Sequence, residues 1–411
     1  MAGGPGSYVF GEEERKEVMD VLDSGFLFRY GKEDDPKFKH KVATFEKEFA
    51  AHMGAKYCVA TSSGTGSLLC CLAALGIGAG DEVIVPGYTF IASISTIILS
   101  NAIPVLAEIN ESLTIDPDDI ERKITDKTKA IVPVHMLGNP CDMDRIMAIA
   151  KKHNLKVIED CCQAVGAEYK GKKVGTIGDI GAYSLNVFKT ITAGDGGAVV
   201  TNDYDLYERA FGFHDQGHKP SRMGVEVGNR SFVGMNMRMN ELTGAVSLAQ
   251  LRKLPMILDT LRAKKAMLKK ELMKVEGLGF RVINDPHECA TLLTILLPSK
   301  EIADKLGEKI GSKTISHSGW HVYNNMEQIL DQKTAAGNCS CPYDCTKYNK
   351  PVKYYKHMLP KTDDILDRAM NISVGVVDAG LGSAFGININ STEAEIKSVA
   401  ANLVAVLKEV L

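Results

Sequence analysis

The chain lacks any long apolar run: nowhere in its 411 residues does an uninterrupted hydrophobic stretch approach the roughly 20 residues a membrane-spanning helix requires. It also lacks a charge excess, since 48 Lys and Arg against 51 Asp and Glu leave a net charge of −3 at pH 7. That balance gives no sign of a nucleic-acid or membrane partner. The opening residues, MAGGPGSYVFGEEERKE, hold no basic segment followed by an apolar one, so no secretory leader is expected. No Gly-Lys-Ser/Thr ending marks a P-loop, and no GxGxxG opens an early strand–helix unit, which weakens a dinucleotide reading. Internal repeats and low-complexity tracts are missing as well. The expectation is a soluble, cytoplasmic protein, whose 45% hydrophobic residues suffice for a large core and two domains.

Cysteine is sparse, at 10 residues. The adjacent pairs Cys70/Cys71 and Cys161/Cys162 lie inside apolar segments and read as small buried hydrophobes in a reducing compartment. Cys339, Cys341 and Cys345 differ, because NCSCPYDC is a polar loop. A metal there needs a fourth ligand, for which His321 and His357 are candidates. The spacing matches no standard zinc knuckle, so a loop without metal is expected.

What the chain does contain is alternation. Between residues 57 and 202, the runs YCVAT, EVIVP, PVLAEI, KAIVPV, KVIED, GAYSL and GAVVT alternate with helix-length patterns such as SLLCCLAAL and MDRIMAIAKKHN. Continuous apolar strands separated by helices predict an α/β fold with a mostly parallel sheet covered on both faces. Ligands in such sheets sit beyond the carboxyl ends of the strands. After residue 240 a long helical pattern, NELTGAVSLAQLRKLPMILDTLRAKKAMLKKELMKV, leads to a smaller α+β domain with strand candidates GFRVI, TLLTILLP and MNISV. The division expected is 1–35 as an N-terminal segment near the site, 36–250 as the large domain and 251–411 as the small one.

Chemistry-bearing residues fall at the predicted carboxyl edge. Lys189 lies in AYSLNVFKTITAGDGG, and 29 positions before it the run KVIED ends in Glu159 and Asp160. A lysine on one loop and a carboxylate at the end of a buried strand are what an aldehyde-bearing pyridine cofactor requires. TSSGTGS at 61–67, before an apolar helix, offers backbone N–H groups that suit a phosphate, or else a simple cap by Ser63 or Thr65. Phe90 follows a strand and could stack on a planar ring or fill the core. Gln163, one turn past Asp160, can hydrogen-bond a ring substituent, and His135 ends the run KAIVPVH at the same edge.

In order and spacing, TSSGTGSL, DEVIVPGYTFIAS, PVHMLGNPCDMD, VIEDCCQAVGA, GDIGAYSLNVFKTITAGDGGAVVTND and GMNMRMNEL resemble the DegT/DnrJ/EryC1/StrS sugar aminotransferases over nearly the whole chain. The resemblance implies fold type I, with a seven-stranded large domain and a pyridoxal 5′-phosphate site shared between the subunits of a homodimer. By position, Lys189 resembles the Schiff-base lysine, Asp160 the partner of the ring nitrogen, Phe90 the stacking residue and Gln163 the contact to the phenolic oxygen. Gly64, Thr65 and Ser184 match phosphate contacts, and Asn236 the asparagine reaching the phosphate from the neighbouring subunit. Relatives with histidine in place of the lysine are dehydratases, so Lys189 implies amino transfer, with glutamate the usual donor. SLNVFKTITAGDGG and LDSGFLFRYG further imply an oxidised Kdo-type sugar acid as substrate, giving an amino sugar for lipopolysaccharide. The insertion near 335–350 and its flank HSGWHVYNNMEQ depart from the usual pattern, which argues against a nucleotide-linked 3- or 4-keto sugar, the first alternative. A second alternative is a catalytically silent sugar-binding relative. Arg29, Lys219 and Arg230 are candidate clamps for a substrate carboxylate, with His135 a further substrate candidate.

Overall fold

A computed structural model describes residues 3–221, 227–335, 341–344 and 346–411; Cys339 and Cys345 lie outside the described residues. Seven strands form the main sheet: β1 (Tyr57–Thr61), β2 (Glu82–Pro86), β3 (Ile103–Ala107), β4 (Thr128–Ile131), β5 (Lys156–Asp160), β6 (Ile180–Ser184) and β7 (Gly197–Thr201). Their spatial order is β1-β7-β6-β5-β4-β2-β3. The block β3-β2-β4-β5-β6 is parallel, whereas β7 runs antiparallel to both β6 and β1. Alternate residues of one strand serve opposite cores. Val157 of β5 and Val200 of β7 join one hydrophobic cluster, while Ile158 and Val199 join the other. Burial on both faces explains why these strands read as unbroken apolar runs.

Strand limits differ from the sequence pattern at one informative place. The run KAIVPV suggests a strand to Val134, but the regular ladder of β4 stops at Ile131. Pro133 has no N–H to continue it; its carbonyl instead accepts the Asp160 N–H at 2.9 Å.

A helix of 32 residues, Glu241–Leu272, crosses the boundary expected at 250/251, with Pro255 inside it. Beyond it, β8 (Gly279–Phe280), β9 (Leu292–Leu296) and β10 (Ala369–Ser373) make an antiparallel sheet. Its residues Leu293 and Ile295 share a core with Leu306 and Leu403 of the helices Lys300–Ile310 and Glu393–Val410. Among the described residues no helix is long and apolar enough to cross a membrane.

The described end of the cysteine-bearing insertion lies at the amino ends of β2 and β3, away from their carboxyl edge. Tyr343 and Tyr348 pack on Ile103, and Tyr348 Oη donates to Glu82 Oε1 at 2.6 Å. His357 pairs with Asp363, and among the described residues Cys341 joins no group of three ligand atoms.

Candidate active site

A cavity of about 600 Å³ opens beyond the carboxyl ends of the parallel strands. The 185–196 loop, a wide antiparallel connection between β6 and β7, brings Lys189 into it. Lys189 is half-buried, and among the described residues its Nζ has no hydrogen bond or ion pair. Burial lowers its pKa, opposed in part by the carboxylates of Asp160 and Asp378. Its ammonium lies 5.9 Å from the centroid of the Phe90 ring.

Asp160, at the end of β5, is aimed by two donors. Ser93 Oγ donates to Oδ2 at 2.6 Å, and the Cys162 N–H to Oδ1 at 3.0 Å. Because the single hydroxyl proton of Ser93 serves Asp160, the 2.7 Å contact between Thr89 Oγ1 and Ser93 Oγ has Thr89 as donor. The chain Thr89–Ser93–Asp160 thus fixes the carboxylate against the strand. Gln163 Oε1 accepts the Leu137 N–H at 3.0 Å, which leaves its amide N–H₂ to donate toward the pocket it lines.

Of the two roles considered for the TSSGTGS loop, the cap is made, and the loop geometry leaves room for the other. Ser63 is the N-cap of the helix Gly64–Ala74 and accepts from Gly66 N at 3.0 Å. Among the described residues no hydrogen bond claims the N–H groups of Gly64 and Thr65, both on the pocket wall. They form an anion cradle at a helix start. A Cβ on Gly64 would stand 2.6 Å from Ser184 Cβ and 3.1 Å from Cys162 Sγ. Gly64→Ala is therefore expected to push the cradle apart by overpacking, worth roughly 1–3 kcal/mol, and to weaken phosphate-anchored cofactor binding about 10- to 100-fold, measured by fluorescence titration of the apoprotein.

Several lining residues were not singled out for the cofactor site from the sequence. Trp320 and His321 arrive from far along the chain, where the 320–323 segment pairs with 87–91: Ile91 N–H donates to Trp320 O at 3.0 Å and Thr89 N–H to His321 O at 2.9 Å. Trp320 is 60% exposed and lies nearly parallel to Phe90, 6.2 Å between centroids. Burial, with the charge of Lys189 second, holds the His321 pKa down to about 3, so its imidazole is neutral. Ser93 could have been anticipated three positions after Phe90; Trp320, His321 and Asp378 carry no local signal.

The four substrate candidates stand elsewhere. Arg29 folds inward and forks onto Glu46 at 2.8 and 3.0 Å while donating to Ala60 O, so its guanidinium is occupied within the large domain. His135 is buried behind the pocket wall. Its Nδ1 accepts the Cys141 N–H at 3.0 Å, which places the ring proton on Nε2, 3.1 Å from Glu159 Oε2. Glu159 also accepts the N–H groups of Gly175, Ile177 and Gly178. His135, Glu159 and Cys161 are close enough to suggest a metal set, but the His and Glu ligand atoms already serve protein donors. Lys219 pairs with Glu208 at 3.3 Å, and Arg230 is exposed, with NH1 on Gly228 O at 2.6 Å. None of the four lines the cavity. Asn236 is exposed in this chain, on a segment whose Met237 carbonyl accepts the Ser62 N–H at 2.8 Å.

Residues 9–376 match the DegT/DnrJ/EryC1/StrS aminotransferase family. The chain belongs to that family. Over 304 residues it is 38% identical to GDP-perosamine synthase of Escherichia coli O157:H7, covering 74% of this chain and 80% of that protein. Among solved structures it is similar to 3-amino-5-hydroxybenzoic acid synthase, at TM-score 0.80 and 25% identity over 97% of both chains. It is similar too to NtdA of Bacillus subtilis with bound cofactor PMP, at TM-score 0.74 and 25% identity, covering 97% of this chain and 82% of that one. The chain is accordingly a sugar aminotransferase that uses pyridoxal 5′-phosphate. Its pocket fits that group: an uncommitted amine, an aimed carboxylate and a glycine cradle that a Cβ would fill share one cavity.

Proposed function

We propose that the chain moves an amino group from L-glutamate to an oxidised Kdo-type sugar acid, giving 8-amino-3,8-dideoxy-manno-octulosonate for lipopolysaccharide in the cytoplasm. The observation that carries amino transfer is the amine of Lys189, without a hydrogen bond or ion pair among the described residues, in the same cavity as Asp160. When bound, pyridoxal 5′-phosphate joins that amine through its aldehyde and takes up the electron pair left at the donor's α-carbon. The Gly64 and Thr65 N–H groups would hold its phosphate, with the Ser184 hydroxyl on the same cavity wall. Asp160 would keep the ring nitrogen protonated, and the Gln163 amide would donate to the phenolic oxygen. The Lys189 amine, its pKa lowered by burial, would take the proton from the donor's α-carbon and return it to the cofactor's carbon side.

Phe90 supplies a ring face beside the lysine, and Trp320 extends that apolar wall to the rim, where a sugar ring can lie. Trp320→Ala is expected to raise KM for the sugar about 10-fold, from ~1.4 kcal/mol of lost stacking, with kcat changed less than KM. Steady-state kinetics at saturating donor check this split.

A homodimer completes the site. Leu27, Phe28, Val233 and Met235 are each at least half exposed, near in sequence to Arg29 or Asn236. Covering them with a second subunit would bring that subunit's Asn236 to the phosphate. Lys219 and Arg230 then face the neighbouring cavity as clamps for the carboxylates of donor and substrate, which this chain's own cavity does not supply. The sugar acid itself is supported by the likeness of LDSGFLFRYG and SLNVFKTITAGDGG and by the altered rim at Trp320. A nucleotide-linked keto sugar is the second reading, favoured by the likeness to GDP-perosamine synthase. Coupled assays with glutamate decide between them: turnover of the oxidised Kdo-type acid supports the first, and turnover of nucleotide-linked sugars alone removes it.

A further inference from the structure

We infer that residues 3–9 are a positioning strap that sets the backbone of the Lys189 loop; the inference rests on the role of Lys189 proposed above. Three kinds of contact meet here. The strap is bonded to the loop: Gly4 N–H donates to Val187 O at 2.9 Å and Ser7 Oγ to the same oxygen at 3.0 Å. It is also packed against the loop without room for a side chain. A Cβ on Gly4 would clash with the Lys189 carbonyl oxygen and stand 2.5 Å from that of Phe188, and one on Gly6 would stand 2.9 Å from Ile191 Cα and from Thr192 N. Glycine at both positions is what lets two backbones touch.

The third contact ties both ends of the arrangement. Gly3 exchanges backbone hydrogen bonds with Val377 at 3.2 and 3.1 Å, next to the pocket residue Asp378. Gln250, on the long helix, donates to Gly6 O at 3.3 Å while its Oε1 accepts the Thr192 N–H at 3.2 Å. Lys253 adds a bond to Val9 O at 2.8 Å. One short segment thereby joins the loop that carries the lysine to the small-domain loop that carries Asp378. The Lys189 side chain has no hydrogen bond or ion pair among the described residues, so its place depends on its backbone. The strap holds that backbone at one point twice over, at the Val187 carbonyl two positions before Lys189, and walls it along 188–192.

Gly4→Ala tests this in the full-length holoenzyme, with Ser7→Ala as a milder second variant that removes one bond and adds no volume. For Gly4→Ala we expect amide hydrogen exchange in residues 186–192 to rise about 10-fold, the pH midpoint of the cofactor's visible absorbance to move, and kcat to fall about 10-fold at nearly constant donor KM. Ser7→Ala should raise the same exchange by about 5-fold, the scale of one hydrogen bond of ~1 kcal/mol. Wild-type exchange and an unmoved pH midpoint in both variants would overturn the strap. Should Gly4→Ala not fold, Ser7→Ala decides alone. Failure of the lysine's own role is separable: it would appear as wild-type protein that carries no borohydride-fixed cofactor on Lys189, whatever the exchange shows.

Discussion

Replacement of Lys189 by alanine is expected to lower kcat on the order of 10⁴-fold or more, about 5.4 kcal/mol at 1.36 kcal/mol per decade. In the role proposed for Lys189, two functions would leave with one amine: the covalent link to the cofactor's aldehyde, and the base for the α-proton. The effect on folding should be small. Lys189 has no ion pair or hydrogen bond among the described residues, so truncation strands no buried charge or acceptor. A melting temperature within a few degrees of wild type is expected, together with loss of the lysine-dependent visible absorbance. Activity within tenfold of wild type would show that the amine at the pocket is not the one that reacts.

Asp160→Asn should be the second most damaging single change, lowering kcat roughly 10³-fold. The substitution keeps volume and one carbonyl oxygen, so either Ser93 Oγ or the Cys162 N–H retains its acceptor. What it removes is the negative charge that, in the role proposed for Asp160, would hold a proton on the ring nitrogen. Without that proton the ring withdraws electrons less, and the carbanion left by α-proton removal is raised in energy. Cofactor binding should weaken far less than kcat, because the phosphate cradle at Gly64 and Thr65 is untouched. Isotope exchange of the donor's α-hydrogen measures the step directly: a rate within a few-fold of wild type would remove Asp160 from its assigned role.

Much of the fold and part of the site are legible in the sequence, for a shared physical reason. Strands buried on both faces are written as local apolar runs, so KVIED and GAVVT identify β5 and β7 without tertiary knowledge. Asp160, Gly64 and Ser184 sit at the ends of such runs, and strand direction alone brings them to one edge. Residues whose fate depends on distant partners are not legible in this way. Arg29 is a free cation in LFRYG until Glu46 of the helix Lys41–Met53 meets it, and His135 is a pocket histidine until Glu159 binds its Nε2. Trp320 and His321 reach the pocket because the 320–323 segment pairs with 87–91, more than 200 positions earlier in the chain, a link with no sequence signature. An N-terminal segment near the site is expected, but the particular contact between Gly4 and the Lys189 loop has no sequence signature.

The most direct measurement of the central claim is borohydride reduction of the cofactor-loaded protein, followed by peptide mapping. A phosphopyridoxyl label on the peptide containing Lys189, absent in Lys189→Ala, is the predicted result. No label, or a label on another lysine, would contradict the assignment of this pocket as the transamination site.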